Sequence, residues 1–129
     1  MDFFTNVEYT FSMTNTDFTN NSLTSCIEIA TPSSCLINIT GGSYSGNNGG
    51  VFDIQCDAIS ESSSILSAAF SENSKLVNGA DIHLVAGSGA LNIGPGCTFE
   101  KSSAEAGQSI SFSAPSAFTE GKPTFLDQI

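Results

Sequence analysis

A short motif built around one aromatic ring recurs along the chain at a nearly constant spacing. The rings are Phe18, Tyr44, Phe70 and Phe99, so the first two steps are equal and the third is slightly longer. In each copy two mostly polar residues follow the ring, and Asn or Ser comes next. A fixed period of this size is typical of stacked structural units, none of which buries its apolar face alone. The repeat therefore predicts an extended stack of similar coils.

Short isoleucine-rich segments separate the motifs. Residues 7–13 alternate apolar with polar side chains, which is the pattern of a half-buried strand. Ile37-Asn38-Ile39 and Leu91-Asn92-Ile93 hold the same place, just before the next ring. Segments rich in Gly, Pro and Ser predict turns at residues 31–34, 60–64, 87–89 and 94–96. No segment keeps a helical period over ten residues.

These patterns predict an all-β fold, a parallel β-helix of about four to five coils. It would be a single domain over residues 1–129, with repeat units at about 18–43, 44–69, 70–98 and 99–125. Each coil lies about 4.8 Å above the last and must present the same kind of residue inward. We therefore expect the four rings to be buried as a ladder, and Asn21, Asn47 and Asn73 to bond each other's amides. A β-sandwich of short strands is the alternative, although it does not need a motif that recurs at a constant spacing.

The motifs resemble those of a known family. Phe18-Thr19-Asn20-Asn21 and Phe70-Ser71-Glu72-Asn73 match the Phe-x-x-Asn repeat of the polymorphic outer-membrane proteins. Gly49-Gly50-Val51-Phe52 and Gly79-Ala80-Asp81-Ile82 resemble that family's Gly-Gly-Ala-Ile motif, and the resemblance covers about residues 16–112. The family consists of autotransporter adhesins with a right-handed parallel β-helix passenger. The resemblance thus implies this fold and hand, an adhesive role, and an extracellular or cell-surface location.

The charge of the chain narrows the choice of partners. It has 13 acidic residues, three lysines and no arginine, so its net charge is −10. This composition argues against binding to nucleic acid or to an anionic membrane surface. No apolar run approaches the roughly 18 residues of a membrane span, so no membrane insertion is predicted. The first residues lack the basic and apolar segments of a signal peptide. We therefore expect a chain that is cytoplasmic, already processed, or part of a longer one.

Acidic residues and one histidine are the candidates for catalysis. Asp53, Asp57 and Asp81 lie in or beside predicted strands, and paired carboxylates on an outer face would suit glycoside hydrolysis. Because charged side chains are normally exposed, we predict a solvated outer face for all three. His83 lies between Ile82 and Leu84 and should point outward, with no serine or cysteine nucleophile motif beside it. We therefore predict no catalytic site.

The sequence carries no recognisable metal or cofactor motif. The cysteines form no Cys-x-x-Cys pair, and with one histidine they predict no zinc site. The four cysteines are Cys26, Cys35, Cys56 and Cys97. They could form two disulfides, or they could be buried free thiols. No calcium-loop motif occurs, so no metal and no cofactor is predicted. Asn20 and Asn38 begin acceptor sequons for N-linked glycans, which count only in a secreted protein of a glycosylating cell.

The two ends of the chain are apolar. Phe3, Phe4, Val7, Tyr9 and Phe11 lie at the start, and the tail from Phe118 to Ile129 adds Phe125 and Leu126. An uncapped coil exposes strand edges and an apolar floor. We therefore predict self-association through the ends of the helix, or continuation in a longer chain.

The function predicted from these observations is that of a non-enzymatic surface or extracellular β-helix protein, structural or adhesive, and a candidate filament subunit. A glycan or a component of a host or other cell surface is a further expected partner. A carbohydrate-binding or carbohydrate-active β-helix module is the alternative, and a groove holding two or more acidic groups on one outer face would favour it. A β-sandwich subunit of a filament is the third option.

Overall fold

The computed structural model describes residues 8–22, 24–76, 79–105, 110–113, 118–120 and 124–126. In these residues the chain forms β-strands and turns, without a helix. The strands are β1 (Glu8–Thr14), β2 (Phe18–Thr19), β3 (Ile27–Ala30), β4 (Ser34–Thr40), β5 (Ser43–Ser45), β6 (Phe52–Leu66), β7 (Ala69–Ser71), β8 (Ile82–Ile93), β9 (Thr98–Glu100), β10 (Ile110–Ser113), β11 (Phe118–Glu120) and β12 (Thr124–Leu126).

The strands form two sheets in which every described pair is parallel. One sheet has the order β1-β4-β6-β8-β10, with β3 beside β6 and β11 beside β8. The other has the order β12-β9-β7-β5-β2. Strand order thus follows the chain in both sheets, because each coil adds to both. The fold is a parallel β-helix of about 4 turns, as predicted. The β-sandwich is excluded because its sheets are antiparallel.

The core is a row of inward side chains that repeats from coil to coil. On β4, Cys35, Ile37 and Ile39 are buried while their neighbours on the strand are more exposed. The same alternation places Ile54 of β6 and Leu84 of β8 in the interior, opposite one another in register. The period-2 pattern of the sequence thus supplies one inward face for each coil.

The four motif rings lie in one stack. Ring centroids are 6.0 Å apart for Phe18 and Tyr44, 5.0 Å for Tyr44 and Phe70, and 4.9 Å for Phe70 and Phe99. Tyr44, Phe70 and Phe99 are fully buried. Phe18 is only half-buried, contrary to the expectation of burial, because it lies in the first described coil. Phe52 packs edge-on against Tyr44 and Phe70, with centroids 5.2 and 6.0 Å away.

Each ring is followed two residues later by a left-handed backbone turn. The φ angles are 56° at Asn20, 66° at Gly46, 53° at Glu72 and 55° at Lys101. Asparagine and glycine adopt this region readily, whereas a glutamate or lysine is strained there. The turn is therefore fixed by stacking on the neighbouring coils even where the local residue disfavours it.

Two predicted turns lie inside long strands instead. Residues 60–64 belong to β6, where the register with both neighbouring strands shifts between Ile59 and Ser63–Ser64, so the serines form a bulge. The buried Ser63 hydroxyl there accepts a hydrogen bond from the Ile37 amide, at 3.0 Å. Residues 87–89 belong to β8, and Gly89 has φ +99° with no room for a Cβ, which would meet the Ile59 carbonyl oxygen. Both segments continue as strands because pairing with adjacent coils satisfies their backbone groups.

Phe70 lies between two other rings of the stack. Phe70→Ala removes contacts with Tyr44, Phe99 and Phe52, and we expect it to lower the free energy of unfolding by about 3–5 kcal/mol. Urea denaturation measures the loss. Phe18→Ala, at the half-buried end of the stack, is the control and should lose clearly less. Equal losses for the two variants would contradict the ladder as the main source of packing energy.

Glu72 is exposed and occupies the left-handed position that Gly46 fills one coil earlier. Glu72→Gly relieves the steric strain, and we expect an increase in the free energy of unfolding of about 0.5–1 kcal/mol. Ser71→Gly, one residue earlier within β7, should instead destabilise, since glycine weakens a strand. A Glu72→Gly variant as destabilised as Ser71→Gly would contradict this prediction.

Candidate functional site

A cluster of charged side chains lies on the outer face of the larger sheet. Asp53 on β6 and His83 on β8 are partners in register, and the apolar residues flanking each of them point inward. His83 Nδ1 lies 3.2 Å from Asp53 Oδ1. We call Asp53, Gln55, Lys75 and His83 the outer-face cluster. His83 thus points outward, as alternation predicts, but it has a carboxylate partner from the previous coil.

Lys75 completes the cluster from the turn that follows the third ring motif. Its aliphatic stem lies over Gly50, where an added Cβ would be 3.1 Å from Lys75 Cδ. Its ammonium donates to Asp53 Oδ2 at 3.3 Å, and Gln55 Nε2 donates to Asp53 Oδ1 at 3.3 Å. The side chains of Lys75, Asp53 and His83 are only 17%, 17% and 13% exposed. This ion pair is therefore partly shielded from solvent.

The environment keeps Asp53 ionised. Burial disfavours the charged carboxylate, but the Gln55 hydrogen bond and the charges of Lys75 and His83 outweigh it, so the pKa of Asp53 lies below its ordinary value of 3.8. Glu28 on β3 is its register partner on the other side and is exposed. A glycosidase acid must instead hold its proton near neutral pH. Asp53 therefore has the properties of a charge partner, and it does not suit the role of a general acid.

The other two aspartates lie in different surroundings. Asp57 is exposed, as expected. Asp81 is fully buried, so the predicted solvated position is wrong for this residue. Its Oδ1 accepts hydrogen bonds from Asn73 Nδ2 and from Ser102 Oγ, both at 2.8 Å. These inward donors hold the carboxylate in the interior, because a buried charge needs hydrogen bonds to offset its desolvation.

The asparagines of the repeat form a row along the axis. Asn21 donates its backbone N–H and its Nδ2 to Asn47 Oδ1, and Asn47 donates the same two groups to Asn73 Oδ1, all at 3.0 Å. Nδ2 of Asn47 also reaches the Phe18 carbonyl at 3.1 Å. Asn47 and Asn73 are fully buried, whereas Asn21 is exposed in the first described coil. This amide ladder satisfies buried polar groups at the turn beside the aromatic stack.

The cysteines are free thiols. Cys35, Cys56 and Cys97 are buried, and Cys26 is half-buried. Burial raises the pKa of each thiol, that of Cys56 to about 12. At neutral pH these thiols are therefore protonated and act as small apolar side chains.

The two asparagines of the glycosylation sequons differ in exposure. Asn20 is exposed, and Asn38 is half-buried on β4. No group of three or more His, Cys, Asp or Glu able to hold a metal ion occurs in the described part of the chain. The same residues contain no helix long and apolar enough to cross a membrane. Phe3, Phe4, Val7 and Ile129 lie outside the described residues.

The first described coil opens onto a cavity. It has a volume of about 390 Å³, and its lining includes Tyr9 and Phe11 of β1, Ile29 of β3, and Cys35 and Ile37 of β4. Tyr9 is 55% exposed. Strands β1 and β2 each pair with one described strand only. This end of the helix thus combines strand edges with an apolar floor.

Comparisons of the chain with protein-family models, with curated proteins and with solved structures found no match. The resemblance to the polymorphic outer-membrane proteins therefore stays a prediction from the motifs.

Sequence patterns alone did not point to Lys75 or Gln55 as partners of Asp53. Lys75 follows a turn, so alternation says nothing about its direction, and its partner is 22 residues away. The pairing of Asp53 with His83 depends on the length of the turn between ring motif and strand, which is longer after the third ring than after the second. The spacing of the aromatic rings and asparagines was the signal that located the ladder residues.

Asn47 has hydrogen-bonding partners in the coils on both sides. We expect Asn47→Ala to lower the free energy of unfolding by about 2–4 kcal/mol, because it leaves buried donors and acceptors unpaired. Asn48→Ala, an exposed neighbour in the same turn, is the control and should cost less than about 1 kcal/mol. Chemical denaturation of both variants provides the comparison, and equal effects would contradict a structural role for the amide ladder.

The outer-face cluster predicts a pH dependence of stability. Since the pKa of Asp53 is lowered in the folded state, its stabilising contribution is present above its ordinary value of 3.8 and is lost as the pH falls through the lowered pKa. Unfolding free energies measured between about pH 7 and about pH 2 should therefore fall less for Asp53→Asn than for the unmodified protein. Asp57→Asn, at an exposed carboxylate, is the control. An unchanged acid dependence in Asp53→Asn would contradict the prediction.

Proposed function

We propose that the chain is a structural β-helix subunit of the extracellular space or cell surface that associates end to end with copies of itself. The open first coil carries this proposal, with its strand edges and the apolar cavity between β1, β3 and β4. An edge of unpaired N–H and C=O groups is a template for another strand. The occupant we assign to it is the last coil of a second copy.

The repeat itself supports a head-to-tail arrangement. The register that pairs Phe18 with Tyr44 also pairs Phe99 with Phe125 in the last described strand of the smaller sheet. If the last coil of another copy were placed on the first coil, the row of aromatic-ring positions would therefore continue from one copy into the next. A contact of this kind joins different surfaces of the two copies and does not close on itself, so it generates filaments.

The distribution of charge along the axis supports the same polarity. Eight of the 13 acidic residues and none of the three lysines precede residue 75. Two first coils facing each other would bring acidic segments together and repel, whereas the second half of the sequence has fewer acidic residues and a smaller net negative charge. The net charge of −10 would keep filaments apart sideways.

Adhesion to a glycan or a cell-surface component remains part of the proposal because of the motif resemblance. It would use the sides of the helix, which stay exposed when the ends associate. Binding of the purified protein to cells and to immobilised glycans, compared with a β-helix of similar charge, tests this part separately from assembly.

Analytical ultracentrifugation over a dilution series tests the assembly. We expect masses that rise with concentration above the 13.4 kDa of one chain. Tyr9→Asp, which places a charge at the rim of the cavity, should shift the distribution to monomer. Ser12→Asp adds the same charge to an exposed outer position of β1 and should leave assembly unchanged. A monomer at every concentration, or equal behaviour of the two variants, would contradict the proposal.

A further inference from the structure

The register of the larger sheet brings a serine beside the outer-face cluster. Ser111 on β10 is the partner of His83 on β8, and His83 is the partner of Asp53 on β6. Adjacent strands are about 4.8 Å apart, so Asp53 and Ser111 flank His83 on opposite sides. The flanking residues Ile82 and Leu84 are buried, which directs His83 and its partners to the same outer face.

The contact with Asp53 orients the imidazole of His83. Nδ1 of His83 lies 3.2 Å from Asp53 Oδ1, so an Nδ1–H donates to the carboxylate. In that tautomer Nε2 is the acceptor. The register places the Ser111 position on the strand opposite to the one that carries Asp53. Gln55 and Lys75 hold Asp53 in place. His83 therefore has an orienting acid on one neighbouring strand and a hydroxyl on the other.

We propose that Ser111, His83 and Asp53 act as nucleophile, general base and orienting carboxylate in the hydrolysis of small, uncharged carboxylic esters. This assignment goes beyond the structural role and departs from the sequence-based prediction of no catalysis. That prediction depended on the lack of a nucleophile motif beside His83 in the chain. The nucleophile is instead supplied by a strand of the following coil, through the register of β8 and β10.

The reaction follows the general logic of a serine nucleophile activated by a histidine. Ser111 Oγ attacks the ester carbonyl carbon while its proton passes to His83 Nε2, and the alcohol leaves with that proton. Water then attacks the acyl-serine, gives its proton to the same nitrogen, and releases the carboxylic acid as the serine regains its proton. Asp53 stays ionised throughout and stabilises the imidazolium. In free enzymes the hydrogen bond between nucleophile and base is often long and shortens when substrate binds.

The charge of the chain limits which esters could be substrates. The net charge of −10 disfavours anionic esters, which is why the proposed substrates are uncharged.

Hydrolysis of p-nitrophenyl acetate by the full chain, together with labelling by a fluorophosphonate probe, tests the assignment. We expect the probe to modify Ser111, located by peptide mass mapping. Ser111→Ala and His83→Gln should each lower the hydrolysis rate by about 10²-fold or more.

Ser88→Ala is the matched control, because Ser88 is an exposed serine on β8 away from the row. It should hydrolyse the ester at the unmodified rate, and thermal unfolding should show that Ser111→Ala is as stable as this control. Asp53→Asn should lower the rate while still allowing ester binding. Absence of probe at Ser111, no ester hydrolysis, or a Ser111→Ala variant that keeps the full rate would each overturn the proposal.

Discussion

In-register stacking of parallel coils is the constraint on which the rest of this structure depends. Each coil lies about 4.8 Å from the next, so an inward side chain always meets the residue at the same place in the neighbouring coil. Rings therefore stack on rings, from Phe18 to Phe99, and isoleucines pack on isoleucines. At the adjoining turn asparagine lies beside asparagine. Asn21 donates two hydrogen bonds to Asn47 Oδ1, and Asn47 donates two to Asn73 Oδ1. Apolar packing and buried hydrogen bonding thus follow from the same repeat.

The point where the repeat changes length shows how strongly buried polar groups are constrained. The step from the third ring to the fourth is longer than the two before it, and Ser102 stands where an asparagine would continue the row. The shorter hydroxyl is joined to Asn73 through the buried carboxylate of Asp81, which accepts from both. A buried polar group without a partner is costly. The row is therefore completed by a residue of a different type from an adjacent turn.

Chemistry on the outer face depends on the same register, although no outward side chain is needed for packing. The outer-face cluster draws its members from separate coils, and the proposed nucleophile comes from one coil further on. Such a surface positions groups that are distant in sequence on a rigid support. The open first coil has the opposite property, because within the described residues its outer edge has no neighbouring strand. The sides and the end of the helix thus suit different tasks, surface chemistry and assembly.

The sequence by itself determined the fold class and the interior. The spacing of the rings and asparagines predicted a parallel stack, the ladder and its hydrogen-bonding row, because an inward position tolerates one kind of residue in every coil. Tertiary structure decided what the spacing does not constrain. The serine-rich segment became a bulge in β6 and Gly87–Gly89 became strand, because pairing with adjacent coils outweighs local turn preference. Coil lengths that vary by a few residues decided three further features. These are the burial of Asp81, the salt bridge of Lys75 and the position of Ser111 beside His83. A shift of one residue in the strand register exchanges the inner and outer faces. These contacts therefore depend on the register, which only the tertiary structure shows.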